Sequence, residues 1–201
     1  MRALGHHHHD PCGDGHDLGD YLRRLEGADR LEWQKPDEVI AALALRPADV
    51  AADIGAGPGY FTLRMAQAAA HVFAVDEKPQ MLEVLRERMK GRRNVTPVLS
   101  VEDDPLLPQG ICDLVLIVNT FHHFPGGAAY LRKLARALRP GGRIVNVDFH
   151  ERELPIGPPP EMKLSREQFL QIADAAGLRL AKEHTFLPMQ YFLELRTQPA
   201  R

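Results

Sequence analysis

From residue 49 onward the chain alternates short apolar runs with stretches whose apolar residues recur every three or four positions. The runs predict strands at Asp49–Ile54, His71–Val75, Asn94–Leu99, Asp113–Val118 and Arg143–Phe149. Asp113–Val118 is apolar on both faces after its first residue, as in a strand covered on two sides. The helical spacings predict helices over Tyr60–Ala69 and Pro79–Met89, the latter with Leu82, Leu85 and Met89 on one face. A third follows Pro125, with Leu131, Leu134, Ala135 and Leu138 aligned, and Pro140-Gly141-Gly142 predicts its stop. Ser165 with Gln168 three positions on is a capping box for a helix that buries Phe169, Ile172, Ala173 and Ala176 and closes at Gly177. Two last strands, Leu178–Leu187 and Met189–Arg196, meet near Pro188 and predict an antiparallel hairpin.

Strands separated by single helices imply right-handed crossovers. The expected fold class is therefore α/β: one Rossmann-like, seven-stranded, mostly parallel sheet with an antiparallel C-terminal hairpin and helices on both faces. Ahead of it, Leu18, Tyr21, Leu22 and Leu25 share one helical face, and a second helix starts at Pro36 and runs through Val39, Ile40 and Leu43. Residues 1–17 hold His, Gly and Asp with little to bury. The organisation expected is a flexible His-rich tail (1–17), a helical preface capping the site (18–48) and a core (49–201).

Composition narrows the partners. In 201 residues, 44% are apolar and 26% charged, and the formal net charge is −2, so the chain lacks the basic footprint of a dedicated nucleic-acid binder. No apolar run approaches the ~20 residues that cross a bilayer, and the first residues lack an apolar secretory segment. Two cysteines, Cys12 and Cys112, make no disulfide framework, which points to a reducing cytoplasm. Five of the ten histidines (His6, His7, His8, His9, His16) sit in the tail, but consecutive imidazoles lack the spacing of a structured site, so no metal site is expected.

The chemistry concentrates at Asp53-Ile54-Gly55-Ala56-Gly57-Pro58-Gly59, a strand-to-helix junction where glycines let backbone approach a ligand. Asp76 ends the next strand, 23 residues after Asp53 (76 − 53), where a carboxylate can take both hydroxyls of a ribose. A dinucleotide fingerprint would need Gly or Ala at position 60, and Tyr60 stands there, which disfavours NAD. Further rim candidates are Glu102 and Asp103 after the third strand, Asn119, His122 and His123 after the fourth, and His150 after the fifth.

Taken in order, the Asp53–Gly59 turn, Ala74-Val-Asp76 with Pro79-Gln-Met81-Leu82, Glu102-Asp103, Asp113–Val118 with His122-His123, and Leu138-Arg-Pro-Gly-Gly142 resemble the class I S-adenosylmethionine-dependent methyltransferases. The resemblance covers roughly residues 30–196 and is nearest to the small-molecule branch that includes the ubiquinone- and menaquinone-biosynthesis type. It implies S-adenosylmethionine as cofactor, converted to S-adenosylhomocysteine, and a small-molecule methyl acceptor. Asp53, Gly55, Ala56, Gly57 and Gly59 would hold its methionine end, Asp76 the ribose with Glu77 alongside, and Glu102 or Asp103 the adenine amino group. The register of that last pair is open by one residue. Asn119 would face the sulfonium, and Trp33-Gln34-Lys35-Pro36 would close over it.

Methyl transfer is an in-line displacement, so a base is needed only where the nucleophile must lose a proton. His122 and His123 are the catalytic candidates, the alternative being that one of them packs under the sheet edge. The Asn/Asp-Pro-Pro-Tyr/Phe run of amino-methylating DNA enzymes is replaced by Asn119-Thr-Phe-His122, and the cysteines needed to hold arsenite are too few. A catalytically silent sensor of S-adenosylmethionine or metal on the same fold is the competing function.

Overall fold

The computed structural model describes residues 18–25, 27, 29–124 and 126–198; the tail, with its histidines and Cys12, lies outside them. The preface folds as α1 (Leu18–Leu25), α2 (Arg30–Gln34) and α3 (Pro36–Ala42). The core then runs β1 (Val50–Ile54), α4 (Thr62–Met65), β2 (His71–Asp76), α5 (Pro79–Arg88), β3 (Val95–Leu99) and β4 (Cys112–Val118). It ends with α6 (Gly127–Ala137), β5 (Leu138–Phe149), α7 (Arg166–Ala175), β6 (Leu178–His184) and β7 (Gln190–Thr197).

The seven strands form one sheet in the order β3-β2-β1-β4-β5-β7-β6. The pairs β1–β2, β1–β4, β2–β3 and β4–β5 are parallel, while β7 runs antiparallel to both β5 and β6. Pro97 is tolerated in β3 because that strand is an edge and needs no second ladder. Two apolar layers cover the sheet. Leu43, Met65, Leu82, Leu85 and Phe192 pack on one face, and Tyr130, Leu131, Leu134, Phe169 and Tyr191 on the other. Phe169 is fully buried with its ring 4.9 Å from that of Phe121, a position where truncation to Ala costs about 3–5 kcal/mol.

Four elements depart from their sequence expectations. The helix expected over Tyr60–Ala69 is four residues long, because Asn94 Nδ2 binds the carbonyls of Ala66 and Ala69 and ends it in turns. The helix α6 stops at Ala137, before the Pro-Gly-Gly sequence, and Leu138 already belongs to β5. Pro140-Gly141-Gly142 is thus an irregularity inside a strand, where the β4–β5 register shifts between Cys112 and Leu114. A Cβ at Gly142 would come within 3.0 Å of the Cys112 carbonyl oxygen, so the strand needs glycine there. The short helix α2 carries no capping or periodicity signal and escaped the pattern. The capping box at Ser165 is present in full, with both side-chain bonds formed.

Because the chain leaves β1 toward β2 on one side and β4 leads to β5 on the other, the carboxyl ends of β1 and β4 flank a crevice. There a cleft of about 720 Å³ opens, lined in part by Asp29, Arg30 and Trp33 of the preface.

Candidate functional site

One wall of the cleft is backbone. After β1, the amides of Gly55 and Ala56 both donate to the Val75 carbonyl, at 2.9 and 3.0 Å, which locks the turn onto β2. Gly55 has φ +69°, and a Cβ there would lie 2.4 Å from the Thr120 side chain. Gly55, Ala56 and Gly57 line the cleft. Gly59 does not; a Cβ on it would meet Leu85 at 2.4 Å, so its role is to bring α5 against the turn.

Two carboxylates end the flanking strands. Asp53 is 3% exposed and accepts a 2.6 Å hydrogen bond from the Thr62 hydroxyl. Burial pushes its pKa up to about 6, against the pull of that bond, and nearby Asp76 adds to the rise. Asp76 accepts from the Gly57 amide at 2.7 Å and the Lys78 amide at 2.9 Å. Burial nonetheless holds it above the usual carboxylate range, the two amides opposing. A carboxylate has about four lone-pair sites, so Asp76 keeps capacity for two donors from a ligand. Glu77 lies beside it on the cleft wall.

After β3 the side chains of Glu102 and Asp103 take different directions. An isolated bridge between Val101 and Asp104 tightens the turn. Glu102 lines the cleft, whereas the Asp103 side chain is 78% exposed and pairs with Lys133 at 3.2 Å.

The other wall is made of side chains. Asn119 ends β4 in the left-handed region (φ +54°), its amide held by the Val147 carbonyl at 2.9 Å, and it lines the cleft. Phe121–His123 form one 3-10 turn, which sends the two histidines in different directions. His123 reaches the cleft. His122 sits behind it, its side chain 7% exposed, with Nδ1 3.0 Å from Asp148 Oδ2. The two imidazoles are 4.1 Å apart, so Asp148, His122 and His123 form a connected row. His150 lies outside the cleft, its amide on the Met189 carbonyl and its ring 6.1 Å from Tyr191, and burial lowers its pKa. Trp33, Phe124, Tyr130, Phe149 and Ile156 complete the wall, with Trp33 and Phe149 centroids 5.4 Å apart. The loop after β5 lies directly on this wall: a Cβ at Gly157 would fall 2.9 Å from the Phe149 ring.

The preface joins this wall through buried amides. Gln34 Nε2 donates to Gln190 Oε1 at 3.3 Å, and Gln190 Nε2 donates to Asn119 Oδ1 at 2.5 Å. Arg30 Nε donates to Gln34 Oε1, and its guanidinium lies 3.9 Å over the Tyr60 ring. Asp148, Gln190 and Arg30 were absent from the sequence reading. Asp148 is marked only as a polar residue late in the apolar end of β5, and Gln190 only as the polar first residue of β7.

Residues 52–146 match the methyltransferase-domain family. A demethylmenaquinone methyltransferase of Tropheryma whipplei is 36% identical over 97 residues, covering 48% of this chain and 40% of that protein. A ubiquinone biosynthesis O-methyltransferase of Xanthomonas oryzae pv. oryzae is 35% identical over 112 residues, 54% of this chain and 46% of that one. The chain thus matches less than half the length of these curated relatives. A solved S-adenosylmethionine-dependent methyltransferase from Aquifex aeolicus superposes with TM-score 0.82, covering 90% of this chain and 98% of that one, at 23% identity. The chain thus shares the fold of that protein over 90% of its length.

The donors and acceptors of the cleft are of the kinds that S-adenosylmethionine would need. Gly55 and Gly57 keep backbone open to a ligand, Asp53 and Asp76 would offer carboxylates to its polar groups, and Glu102 would offer an acceptor farther along. Cys112 is buried at the start of β4 with its thiol pushed up to about 12 by burial, which keeps it a packing residue. No group of three or more metal-ligating side chains occurs among the described residues, and no described helix is long and apolar enough to cross a membrane.

Proposed function

We propose that the protein transfers a methyl group from S-adenosylmethionine to a small-molecule acceptor in the cytoplasm. The observation that carries this is the shared cleft: the Asp53–Gly57–Asp76 cradle opens directly onto the rim of Asn119, His123, Trp33 and Phe149. S-adenosylmethionine, when bound, supplies a methyl carbon on a positively charged sulfur. The chain's own work is alignment and exclusion of water. Asp53, Gly55, Ala56 and Gly57 hold the amino-acid end, Asp76 with Glu77 the ribose, and Glu102 the adenine amino group.

His123 receives the proton of the acceptor. Asp148 holds His122 by its Nδ1, and His122 in turn sets the ring of His123. Among the sequence candidates, Glu102 is assigned to the adenine in preference to Asp103, and His123 to the base in preference to His122. Gly59 serves by packing. The apolar, aromatic wall and its size suit a small molecule rather than a nucleic-acid chain.

Calorimetry with S-adenosylhomocysteine tests the cradle, with micromolar binding expected for the native chain and severe weakening for Asp76→Ala. Labelled S-adenosylmethionine incubated with cell extract and the protein then tests turnover, and the labelled product names the acceptor. Absence of binding at high micromolar ligand would sink the proposal.

A further inference from the structure

The row of amides between the preface and Asn119 has a direction. Amide side chains can be turned either way round, but a guanidinium carries donors only. Arg30 Nε therefore requires Gln34 to offer its oxygen, which leaves the Gln34 nitrogen to donate to Gln190 Oε1. The Gln190 nitrogen then donates to Asn119 Oδ1. Gln34 and Gln190 are fully buried, at 0% and 1% exposure, so water cannot compensate a reversed amide in the middle of the row. The last member has its carbonyl engaged and its NH₂ group without a hydrogen-bond partner among the described residues, on a side chain that lines the cleft.

We infer that Arg30, Gln34 and Gln190 are positioning residues that hold Asn119 as a hydrogen-bond donor toward the methyl acceptor, and that the acceptor atom is consequently an oxygen. The inference rests on the methyl-transfer reading above. An oxyanion uses one lone pair for attack and keeps others to accept from Asn119. A neutral amine nitrogen has one lone pair, which a donor would occupy, and its own hydrogens call for acceptors. In balance, the acceptor O–H proton passes to His123, an oxygen lone pair forms the O–CH₃ bond, and the S–CH₃ electron pair remains on sulfur as the thioether. The donor stabilises the oxyanion from which that bond forms. The preface and β7 thus set acceptor chemistry from opposite ends of the chain.

The test uses the full chain loaded with S-adenosylhomocysteine and two matched aromatic probes, 4-nitrophenol and 4-nitroaniline, with dissociation constants measured by calorimetry. A hydrogen bond to a charged oxygen predicts 4-nitrophenol binding at least roughly tenfold tighter. Gln190→Glu offers acceptors only, so it draws the Asn119 NH₂ toward itself and turns the carbonyl to the cleft. That variant should lose the tenfold preference or reverse it, with S-adenosylhomocysteine binding retained. Asn119→Asp, on the cleft wall rather than in the core, should lose it too and serves where Gln190→Glu does not fold. Equal or absent binding of the two probes to the native chain overturns the inference, as does an unchanged ratio in folded Gln190→Glu or Asn119→Asp. Failure of the native chain to bind S-adenosylhomocysteine overturns the methyl-transfer reading itself, so the two failures are distinguishable.

Discussion

The two walls of the cleft are built by different means. The β1–β2 wall is a local object: within 24 residues, from Asp53 to Asp76, it assembles a turn of glycines and two carboxylates, Asp76 tied to the turn by the Gly57 amide and Asp53 held by the Thr62 hydroxyl. The opposite wall collects Trp33, Asn119, His123, Phe149 and Ile156 from across the chain, and its amide row joins residues 156 positions apart. A cofactor common to many reactions can be met by backbone geometry, whereas an acceptor peculiar to one reaction needs side chains. The first wall should therefore respond to substitution in binding, and the second in rate and acceptor choice.

The largest separation of the two is expected at His123. His123→Gln should lower methyl transfer to the acceptor found in extract by about 10²- to 10⁴-fold, the usual range for a lost proton acceptor. Its S-adenosylhomocysteine affinity should stay within about threefold of native by calorimetry. A proportional loss of both would erase the division between the walls.

Gly55→Val attacks the other side. Its Cβ would fall 2.4 Å from Thr120 at a φ of +69°, where a branched residue is strained in any case. Binding should fall by about 100-fold or more, a change of ~2.7 kcal/mol. Adding Thr120→Ala relieves the contact but not the dihedral, so recovery should be partial. Full recovery would show that the contact alone mattered.

Asp76→Asn is expected to cost less, about 10- to 100-fold in affinity for S-adenosylhomocysteine, as for loss of charged hydrogen bonds to a ribose. Native-like affinity would remove Asp76 from the ribose assignment.

The smallest effect is a pH dependence. Asp53 titrates at about 6 in the fold because it is buried. S-adenosylmethionine, a cation, should bind progressively more weakly as pH falls below 6, by up to about tenfold per unit. Asp53→Asn should flatten that slope. The stability linkage has the opposite sign. The folded chain binds this proton more tightly than the unfolded one, so the group's favourable contribution is full below the unfolded pKa and is lost as pH rises from about 4 through 6. Thermal melts of Asp53→Asn against the native chain over that range should show the difference disappear at the acid end.

Legibility in the sequence followed the same division. The strand–turn–strand unit from Asp53 to Asp76 could be read because every part of it lies within one crossover. The capping box at Ser165 was equally visible, since both partners sit three residues apart. The register of Glu102 against Asp103 could not be read, because only the ion pair to Lys133, 30 residues on, turns Asp103 away. His122 and His123 look equivalent in the chain. The 3-10 turn and the carboxylate of Asp148 separate them, one behind the wall and one on it. Pro140-Gly141-Gly142 read as a stop to a helix, yet the neighbouring strand β4 recruits it into β5 through a bulge, an override of local preference by pairing.

By itself, the sequence determined the α/β alternation, the glycine turn and the carboxylate at the end of β2, since each follows from short-range periodicity, dihedral freedom or fixed spacing. The tertiary structure decided which histidine meets the cleft, which acid lines it, and how Arg30, Gln34, Gln190 and Asn119 join in one row. Those outcomes depend on contacts between segments distant in the chain, and on the polarity that a donor-only guanidinium imposes on amides it reaches only after folding.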